Sequence, residues 1–252
     1  MTKRASILVT GSSGGIGAKL TERLIEDGFH VIGLDLVVPS VKPDAHFDFV
    51  ACNLSDFVNH EPTLGSVREA LEGLDSFARL CGLVNNAAFQ YVGPVVDMPL
   101  SDFRKTLDVN LTAAFELSRI CYKPLAANQG SVVNISSIHA RLSKRHFVAY
   151  ATSKAALSAL TRYMALEWGA RVRVNAIEPA AVETQMLTDG FGEKWPEAAK
   201  QLGNIHPSGK ISTPAEIATF VQLLLNSNDK HFTGLTLSVD GGLSSVLTDV
   251  SK

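Results

Sequence analysis

Short apolar runs rich in β-branched residues recur along the chain, and runs of this length predict buried strands. They occupy residues 5–10, 30–35, 47–52, 81–85, 130–136, 172–177 and 235–239. Apolar residues at helical spacing fill most of the intervals, over residues 18–27, 63–79, 101–127, 150–168 and 214–226. Strands that alternate with helices predict a parallel sheet covered on both faces, and therefore a three-layer α/β fold.

Capping residues mark several of the predicted helix ends. Gly28 is well placed to end the first helix, and Ser101 and Thr213 are credible N-caps of later ones. Thr213 also begins a capping box that Glu216 completes. Residues 183–211 form a long predicted loop, whose apolar members either line a pocket or pack against the sheet. These members are Met186, Leu187, Phe191 and Trp195.

The overall composition is ordinary for a globular protein and gives no sign of a strongly charged binding partner. The chain has 252 residues and a formal net charge of −2, and it shows no internal repeat or linker, which predicts one domain over residues 1–252. This charge balance predicts no binding to nucleic acid or to a membrane surface. No signal peptide or membrane-spanning run is recognised, so we expect a cytoplasmic protein. Cys52, Cys81 and Cys121 are predicted to be reduced core thiols.

The turn after the first predicted strand reads Thr-Gly-Ser-Ser-Gly-Gly-Ile-Gly over residues 10–17. A pyrophosphate is well held by backbone N–H groups at a helix N-terminus, where any side chain would keep the phosphate away. Glycine is therefore needed at the points of closest approach and at positive φ. The alternative interpretation is an ordinary glycine-rich turn between a strand and a helix.

Asp35 ends the second predicted strand, roughly twenty residues after the glycine turn. An acidic side chain at that place hydrogen-bonds the adenosine ribose and repels a 2′-phosphate. Its neighbours Gly14 and Leu36 carry no compensating positive charge. The sequence therefore favours NAD over NADP as cofactor, with a solvated strand-end carboxylate as the alternative role for Asp35.

Tyr150 and Lys154 lie four residues apart on a predicted helix and therefore share one face. A nearby ammonium and a cationic nicotinamide both favour tyrosinate, which would lower the pKa of Tyr150 and make it a general acid or base. Ser137, at the end of the fifth predicted strand, would hydrogen-bond the reacting oxygen. The alternative is that Tyr150 and Lys154 are two exposed residues of one helix and that Ser137 has no connection with them.

Over nearly its whole length the chain resembles a short-chain dehydrogenase/reductase of the single-domain type. The matching motifs are the glycine turn, Asn-Asn-Ala-Ala at 85–88, Asn110 in Asp-Val-Asn-Leu, Ser137 in Asn-Ile-Ser-Ser, Tyr150-Ala-Thr-Ser-Lys154, Asn-Ala-Ile-Glu-Pro at 175–179 with Thr184, and Val-Asp-Gly-Gly at 239–242. The resemblance implies a Rossmann-type, doubly wound sheet of about seven strands. It also implies an oxidoreductase that interconverts a secondary alcohol and a ketone.

The resemblance carries roles over to individual residues. It implies a catalytic tetrad of Asn110, Ser137, Tyr150 and Lys154, in which Asn110 positions a water that links Lys154 to solvent. Lys154 would also hold the nicotinamide ribose. The implied cofactor-binding residues, besides Tyr150 and Lys154, are Gly11, Ser13, Gly15, Ile16, Gly17, Asp35, Asn53, Leu54, Asn86, Ala87, Pro179, Val182 and Thr184. Three positions depart from the family pattern: Asn53 replaces an aspartate, and Ala88 and Ala180 replace glycines.

The substrate end of the site is less defined. The resemblance places a substrate lid within residues 183–211 and turns Gln90 and His139 toward the reacting centre. Between Ser137 and Tyr150 the chain also carries Arg141, Lys144 and Arg145 with no acidic residue among them. Either these cations form a solvated or intersubunit loop, or they attract an anionic substrate such as a hydroxy or oxo acid, an acyl thioester or a sugar derivative. The other histidines show no metal-site spacing.

The resemblance further implies a homotetramer, or a homodimer, paired through the helices at 101–127 and 150–168. Two other functions stay open. The first is a redox-silent NAD-binding sensor, which the intact tetrad disfavours because a sensor has no need of a base with a cationic partner. The second is a lyase or epimerase that uses NAD transiently, which the absence of a second substrate domain disfavours.

Overall fold

Parallel strands form one sheet in the computed structural model, which describes residues 4–39 and 46–247. The strands are Ser6–Thr10 (β1), His30–Asp35 (β2), Phe47–Ala51 (β3), Leu80–Asn85 (β4), Ser131–Ile135 (β5), Arg173–Pro179 (β6) and Thr236–Val239 (β7). Within the described residues the order is β3-β2-β1-β4-β5-β6-β7, and every neighbouring pair is parallel. All the predicted strands are confirmed.

Helices cover both faces of this sheet. Those in the described ranges are Gly15–Glu26 (α1), Leu54–Asn59 (α2), Glu61–Glu72 (α3), Leu100–Leu107 (α4), Ala113–Ala127 (α5), Val148–Trp168 (α6), Gln185–Phe191 (α7), Trp195–Ile205 (α8) and Pro214–Asn226 (α9). Apolar side chains of α1 and α9 form the core on one face, and those of α3, α5 and α6 form the core on the other. The predicted three-layer, doubly wound α/β fold is therefore confirmed.

Two of the three predicted helix-end residues are confirmed. Thr213 Oγ1 accepts a hydrogen bond from the Glu216 N–H at 3.3 Å, and the Thr213 N–H donates to Glu216 Oε2 at 2.8 Å, which completes the capping box. Gly28 follows α1 with φ +90°, a conformation that favours glycine. The prediction that Ser101 is an N-cap is wrong, because the carbonyl of Pro99 accepts the first hydrogen bonds of α4.

Three predicted segments have a different internal structure. A π-helical turn at Asp108–Thr112 divides the predicted helix 101–127, and such turns frequently accompany functional sites. The predicted helix 63–79 instead begins at residue 61 and stops at residue 72, before Gly73. The predicted loop 183–211 contains α7 and α8, which are joined by a 3-10 turn.

Strands β1 and β4 are neighbours, and the chain leaves them toward opposite edges of the sheet. In open parallel sheets this change of direction creates a crevice outside the carboxyl ends of the strands, where ligands bind. The glycine turn follows β1, and Asn86 follows β4, so both reach this crevice. No helix in the described part of the chain is long and apolar enough to cross a membrane. The three cysteines are free, as predicted.

The first turn of α1 approaches the end of β1 so closely that Gly17 has no room for a side chain. A Cβ atom there would lie 1.9 Å from the Gly11 carbonyl oxygen. We expect Gly17→Ala to lower the free energy of unfolding by about 3 kcal/mol, because backbone has to move. Urea denaturation measures this change. Gly14→Ala is the matched control, since a Cβ atom there meets nothing within 4 Å; equal losses in both variants would contradict the prediction.

Candidate active site

A cleft of about 830 Å³ opens at the carboxyl ends of the central strands. The glycine turn and Asp35 form one end, and the loops after β4, β5 and β6 form the other. Gly17 and Asn110 do not line the cleft; the other predicted site residues do. The structure therefore brings the predicted cofactor, catalytic and substrate residues together around one space.

The first turn of α1 presents bare backbone to this cleft. Gly14, Gly15 and Ile16 line it, and α1 has no side-chain cap to occupy its N-terminal N–H groups. Gly11 and Gly15 have φ +65° and +51°, which favour glycine. This is the arrangement in which a helix N-terminus binds phosphate. Gly17 does not line the cleft; it packs against Gly11 and so supports the glycine turn from the side away from the cleft.

Asp35 is fixed at the end of the cleft by backbone hydrogen bonds. Its Oδ2 accepts from the Ser13 N–H at 2.9 Å, and its Oδ1 accepts from the Val37 N–H at 3.1 Å. Each oxygen keeps a second lone pair for a ligand. Asn53 and Leu54 line the wall nearby, and Asn53 Oδ1 accepts from the Ser55 N–H at 3.1 Å to cap α2. These residues can hold an adenosine.

Ser137, Tyr150 and Lys154 meet at the opposite end. The Ser137 hydroxyl lies near enough to that of Tyr150 to lower the pKa of Tyr150. Lys154 Nζ donates to the Ile135 carbonyl oxygen at 2.7 Å and lies 5.5 Å from the centre of the Tyr150 ring. Tyr150 and Lys154 thus share one face of α6, as their spacing predicts. The alternative of an exposed helix pair is wrong, because Lys154 is almost fully buried.

Burial shifts the proton equilibria of this group. It raises the pKa of Tyr150 to about 12, while the nearby Ser137 hydroxyl acts in the opposite direction. Burial also lowers the pKa of Lys154 to about 7. In the protein without a bound cofactor, the pKa of Tyr150 is therefore raised, because desolvation disfavours the phenolate. The sequence had predicted that it would be lowered. Lys154 becomes a group that exchanges protons near neutral pH.

Asn110 lies on the π-helical turn and joins the loop after β4 to α6. Its Oδ1 accepts from the Phe89 N–H at 2.7 Å, and its Nδ2 donates to the Phe89 carbonyl and to Ser153 Oγ, each at 2.9 Å. Both amide hydrogens are therefore engaged within the protein. Its predicted role in positioning a water stays a prediction.

Asn86 connects the ends of β1 and β4. Its Nδ2 donates to the carbonyls of Thr10 and Gly11, at 3.0 and 3.2 Å. It therefore supports the glycine turn while it lines the cleft. The remaining predicted lining residues, with the two alanines that replace family glycines, are Ala87, Ala88, Pro179, Ala180, Val182 and Thr184.

Loops supply the walls around the reacting end. Gln90 follows β4, and His139 follows β5 with its ring 6.1 Å from that of Tyr150, edge to face. Burial lowers the pKa of His139, which favours the neutral ring. Of the four apolar residues predicted for the lid, Met186, Leu187 and Phe191 line the cleft, while Trp195 packs against Phe191.

The basic loop after Ser137 does not act as one charged patch. Arg141 Nε lies 2.7 Å from Oε2 of Glu178, a residue of β6 that is only 1% exposed, so the charge of Arg141 is paired. Arg145 is outside the cleft wall. Of the three cations, Lys144 lines the cleft, with its ammonium 4.6 Å above the Phe147 ring.

Among the wall residues that sequence reasoning missed are a lysine and a histidine. Lys105, on α4, lines the cleft with its ammonium 4.4 Å above the Phe89 ring. His206, just after α8, lines it from the segment 183–211 that was predicted to be a lid. No local pattern distinguishes either from an ordinary surface residue. No group of three potential metal ligands occurs within residues 4–39 and 46–247.

The family follows from comparison with known proteins. A family model described as enoyl-(acyl carrier protein) reductase matches residues 11–244, which is most of the chain. The chain belongs to the short-chain dehydrogenase/reductase family. It is 29% identical over 250 residues to 3β-hydroxysteroid dehydrogenase 1 of Eggerthella lenta, covering 96% of this chain and 94% of that one. It is 30% identical to glucose 1-dehydrogenase 2 of Bacillus subtilis, covering 94% and 93%.

Solved structures of the short-chain dehydrogenase/reductase family have the same fold. Aldohexose dehydrogenase of Thermoplasma acidophilum superposes with a TM-score of 0.89 at 28% identity, over 99% of this chain and 98% of that one. A 4-hydroxyisoleucine dehydrogenase solved with NADH superposes with a TM-score of 0.86 at 28% identity, over 97% of this chain and 100% of that one. A Beutenbergia cavernae protein solved with NADP superposes with a TM-score of 0.83 at 28% identity, over 96% of this chain and 97% of that one. The family thus binds nicotinamide nucleotides of both kinds.

Proposed function

We propose that this chain is an NAD(H)-dependent dehydrogenase that interconverts a secondary alcohol and a ketone, with Tyr150 as general acid or base. The observation that carries the proposal is the contact of Ser137 with Tyr150 beside the buried Lys154, at the end of a cleft whose other end suits an adenosine. Bound NAD supplies the acceptor, or in reverse the donor, of a hydride.

The proton path follows from the positions of these side chains. Tyr150 takes the proton of the alcohol as the carbon is oxidised, while Ser137 donates to the same oxygen and holds it against Tyr150. The Lys154 ammonium, near the Tyr150 ring, favours the phenolate. Because burial lowers the pKa of Lys154 to about 7, Lys154 can itself gain and lose a proton near neutral pH.

The preference for NAD over NADP rests on Asp35. Two backbone N–H groups hold its carboxylate at the adenosine end, and the adjoining lining residues Leu36 and Val37 are uncharged. A 2′-phosphate at that place would meet a fixed negative charge, and no Lys or Arg within residues 4–39 lines the cleft beside it. A ribose hydroxyl instead gains an acceptor.

We propose an anionic substrate because positive charges line the end of the cleft opposite Asp35. Lys105 and Lys144 both line the cleft there, and no ion pair is found for either within the described residues. Their ammonium groups rest on the rings of Phe89 and Phe147 at the substrate loops. This pair replaces the cluster of three that the sequence indicated.

A homotetramer, or a homodimer, is proposed from the family resemblance. Phe115 on α5 and Tyr163 and Leu166 on α6 support it, since 67% of Tyr163 and 78% of Leu166 are exposed in the single chain. Large apolar side chains at such positions favour pairing of these helices between subunits. Light scattering at micromolar concentration tests the assembly, and a monomer would refute it.

Tyr150→Phe tests the reaction itself. We expect kcat to fall by about 10²- to 10⁴-fold, because the general acid or base is lost. NADH binding, followed by fluorescence, should stay nearly intact. Tyr122→Phe, which lies outside the cleft wall and packs against Trp168, is the matched control and should keep native turnover. A Tyr150→Phe variant that retains more than about a tenth of the rate would show that another group moves the proton.

Asp35→Ala tests the cofactor preference. The ratio of kcat/KM with NAD to that with NADP should fall, because the charge that repels the 2′-phosphate is gone. Asp35→Asn removes the charge and keeps an acceptor for the Ser13 N–H, so it separates repulsion from support of the loop. An unchanged ratio in both variants would mean that Asp35 does not select the nucleotide.

Lys105→Ala combined with Lys144→Ala tests attraction of an anion. For the best acidic substrate found in a screen of hydroxy acids and neutral alcohols, kcat/KM should decrease with ionic strength in the native protein. The double variant should lose about tenfold at low salt and show a flatter dependence. Arg145→Ala, outside the cleft, is the control. A neutral best substrate with a salt-independent rate would contradict the prediction.

A further inference from the structure

The lid carries a buried histidine that the proposed proton path does not use. His206 lines the cleft with only 4% of its surface exposed. Its Nδ1 lies 2.6 Å from the carbonyl oxygen of Leu202. A carbonyl oxygen only accepts hydrogen bonds, so Nδ1 carries a proton, and in the neutral tautomer with that proton Nε2 presents a lone pair.

Nε2 of His206 has no hydrogen-bond partner within the described residues. Four other buried side-chain atoms in the same ranges share this condition, on Ser12, Thr21, Asn85 and Thr236. None of those four residues lines the cleft, whereas His206 does. A buried acceptor that has lost its water is unfavourable until another donor reaches it. Since His206 is a residue of the cleft wall, a ligand that enters the cleft is a candidate source of this donor.

The surrounding charges restrict what that donor can be. Nε2 requires an N–H or O–H group. Lys105 and Lys144 line the same cleft and repel an ammonium group. A neutral hydroxyl satisfies Nε2 without this repulsion. The reacting hydroxyl is already assigned to Ser137 and Tyr150, which belong to the loop after β5 and to α6, whereas His206 belongs to the lid.

We propose that His206 accepts a hydrogen bond from a second substrate hydroxyl, one that is not oxidised. The substrate is then an acid that carries at least two hydroxyl groups. This inference rests on the proposed dehydrogenase function and deepens it, because it assigns a specificity-determining residue to the lid. Closure of the lid over a substrate without that hydroxyl leaves Nε2 unsatisfied, so such a substrate is discriminated against.

The test uses two pairs of acids that differ by one hydroxyl: 3-hydroxybutyrate with 3,4-dihydroxybutyrate, and 2-deoxy-D-gluconate with D-gluconate. In at least one pair we expect the native protein to oxidise the more hydroxylated acid with a kcat/KM about 10- to 100-fold higher. His206→Phe should remove most of that ratio, because the ring fills the space without an acceptor. His206→Gln keeps an acceptor and should restore part of it.

The controls separate the role of His206 from the reaction. His231→Phe replaces an exposed histidine outside the cleft wall and should keep the native ratio. Thermal unfolding of each variant shows that it is folded. A ratio near one in the native protein, or one that His206→Phe leaves unchanged, would overturn the inference.

Neutral secondary alcohols, 2-butanol and cyclohexanol, complete the panel. If they reduce NAD while none of the four acids does, the inference is wrong and the dehydrogenase proposal stands. If no compound reduces NAD or NADP, the dehydrogenase proposal fails, and the inference that rests on it fails as well.

Discussion

Helix α6 is held against β5 by buried hydrogen bonds, and the arrangement of the catalytic end depends on this contact. Lys154, Ser158 and Thr161 lie on one face of the helix at successive turns. Lys154 Nζ reaches the Ile135 carbonyl, Ser158 Oγ lies 2.8 Å from Ser136 Oγ, and Thr161 Oγ1 accepts from Asn134 Nδ2 at 2.9 Å. Because a buried polar group without a partner is costly, a shift of the helix along the strand would break several bonds together. Tyr150 is thereby held opposite Ser137.

The same network continues into the loop that forms the substrate wall. Ser158 Oγ donates to Glu178 Oε1 at 2.9 Å, and the other oxygen of Glu178 pairs with Arg141. A carboxylate this deeply buried needs a cationic partner. Arg141 is therefore held to the sheet, so Lys144 is the cation of this loop that lines the cleft, together with Lys105 of α4 and Lys154 of α6. The Asp35 carboxylate at one end and Lys105, Lys144 and Lys154 at the other make the cleft electrostatically asymmetric.

The fold is common to solved structures of the family. Relatives of nearly equal length bear names that refer to steroids, sugars and a hydroxylated amino acid. Such breadth is expected where rigid strands hold the nucleotide and the catalytic group, and variable loops contact the substrate. Gln90, His139 and His206 come from three loops that line the cleft. The substrate proposal therefore rests on these side chains and on the lysines beside them.

Local patterns in the sequence determined the strands, the glycine turn, the capping box at Thr213 and the pairing of Tyr150 with Lys154, because each depends on residues a few positions apart. The tertiary structure alone decided the partner of Arg141, which is a glutamate 37 positions away, and the entry of Lys105 and His206 into the cleft wall. It also reversed the expected direction of the Tyr150 pKa, since desolvation depends on all the elements that pack around a group. Distant contacts and burial leave no periodic pattern in a sequence, so only the folded chain reveals them.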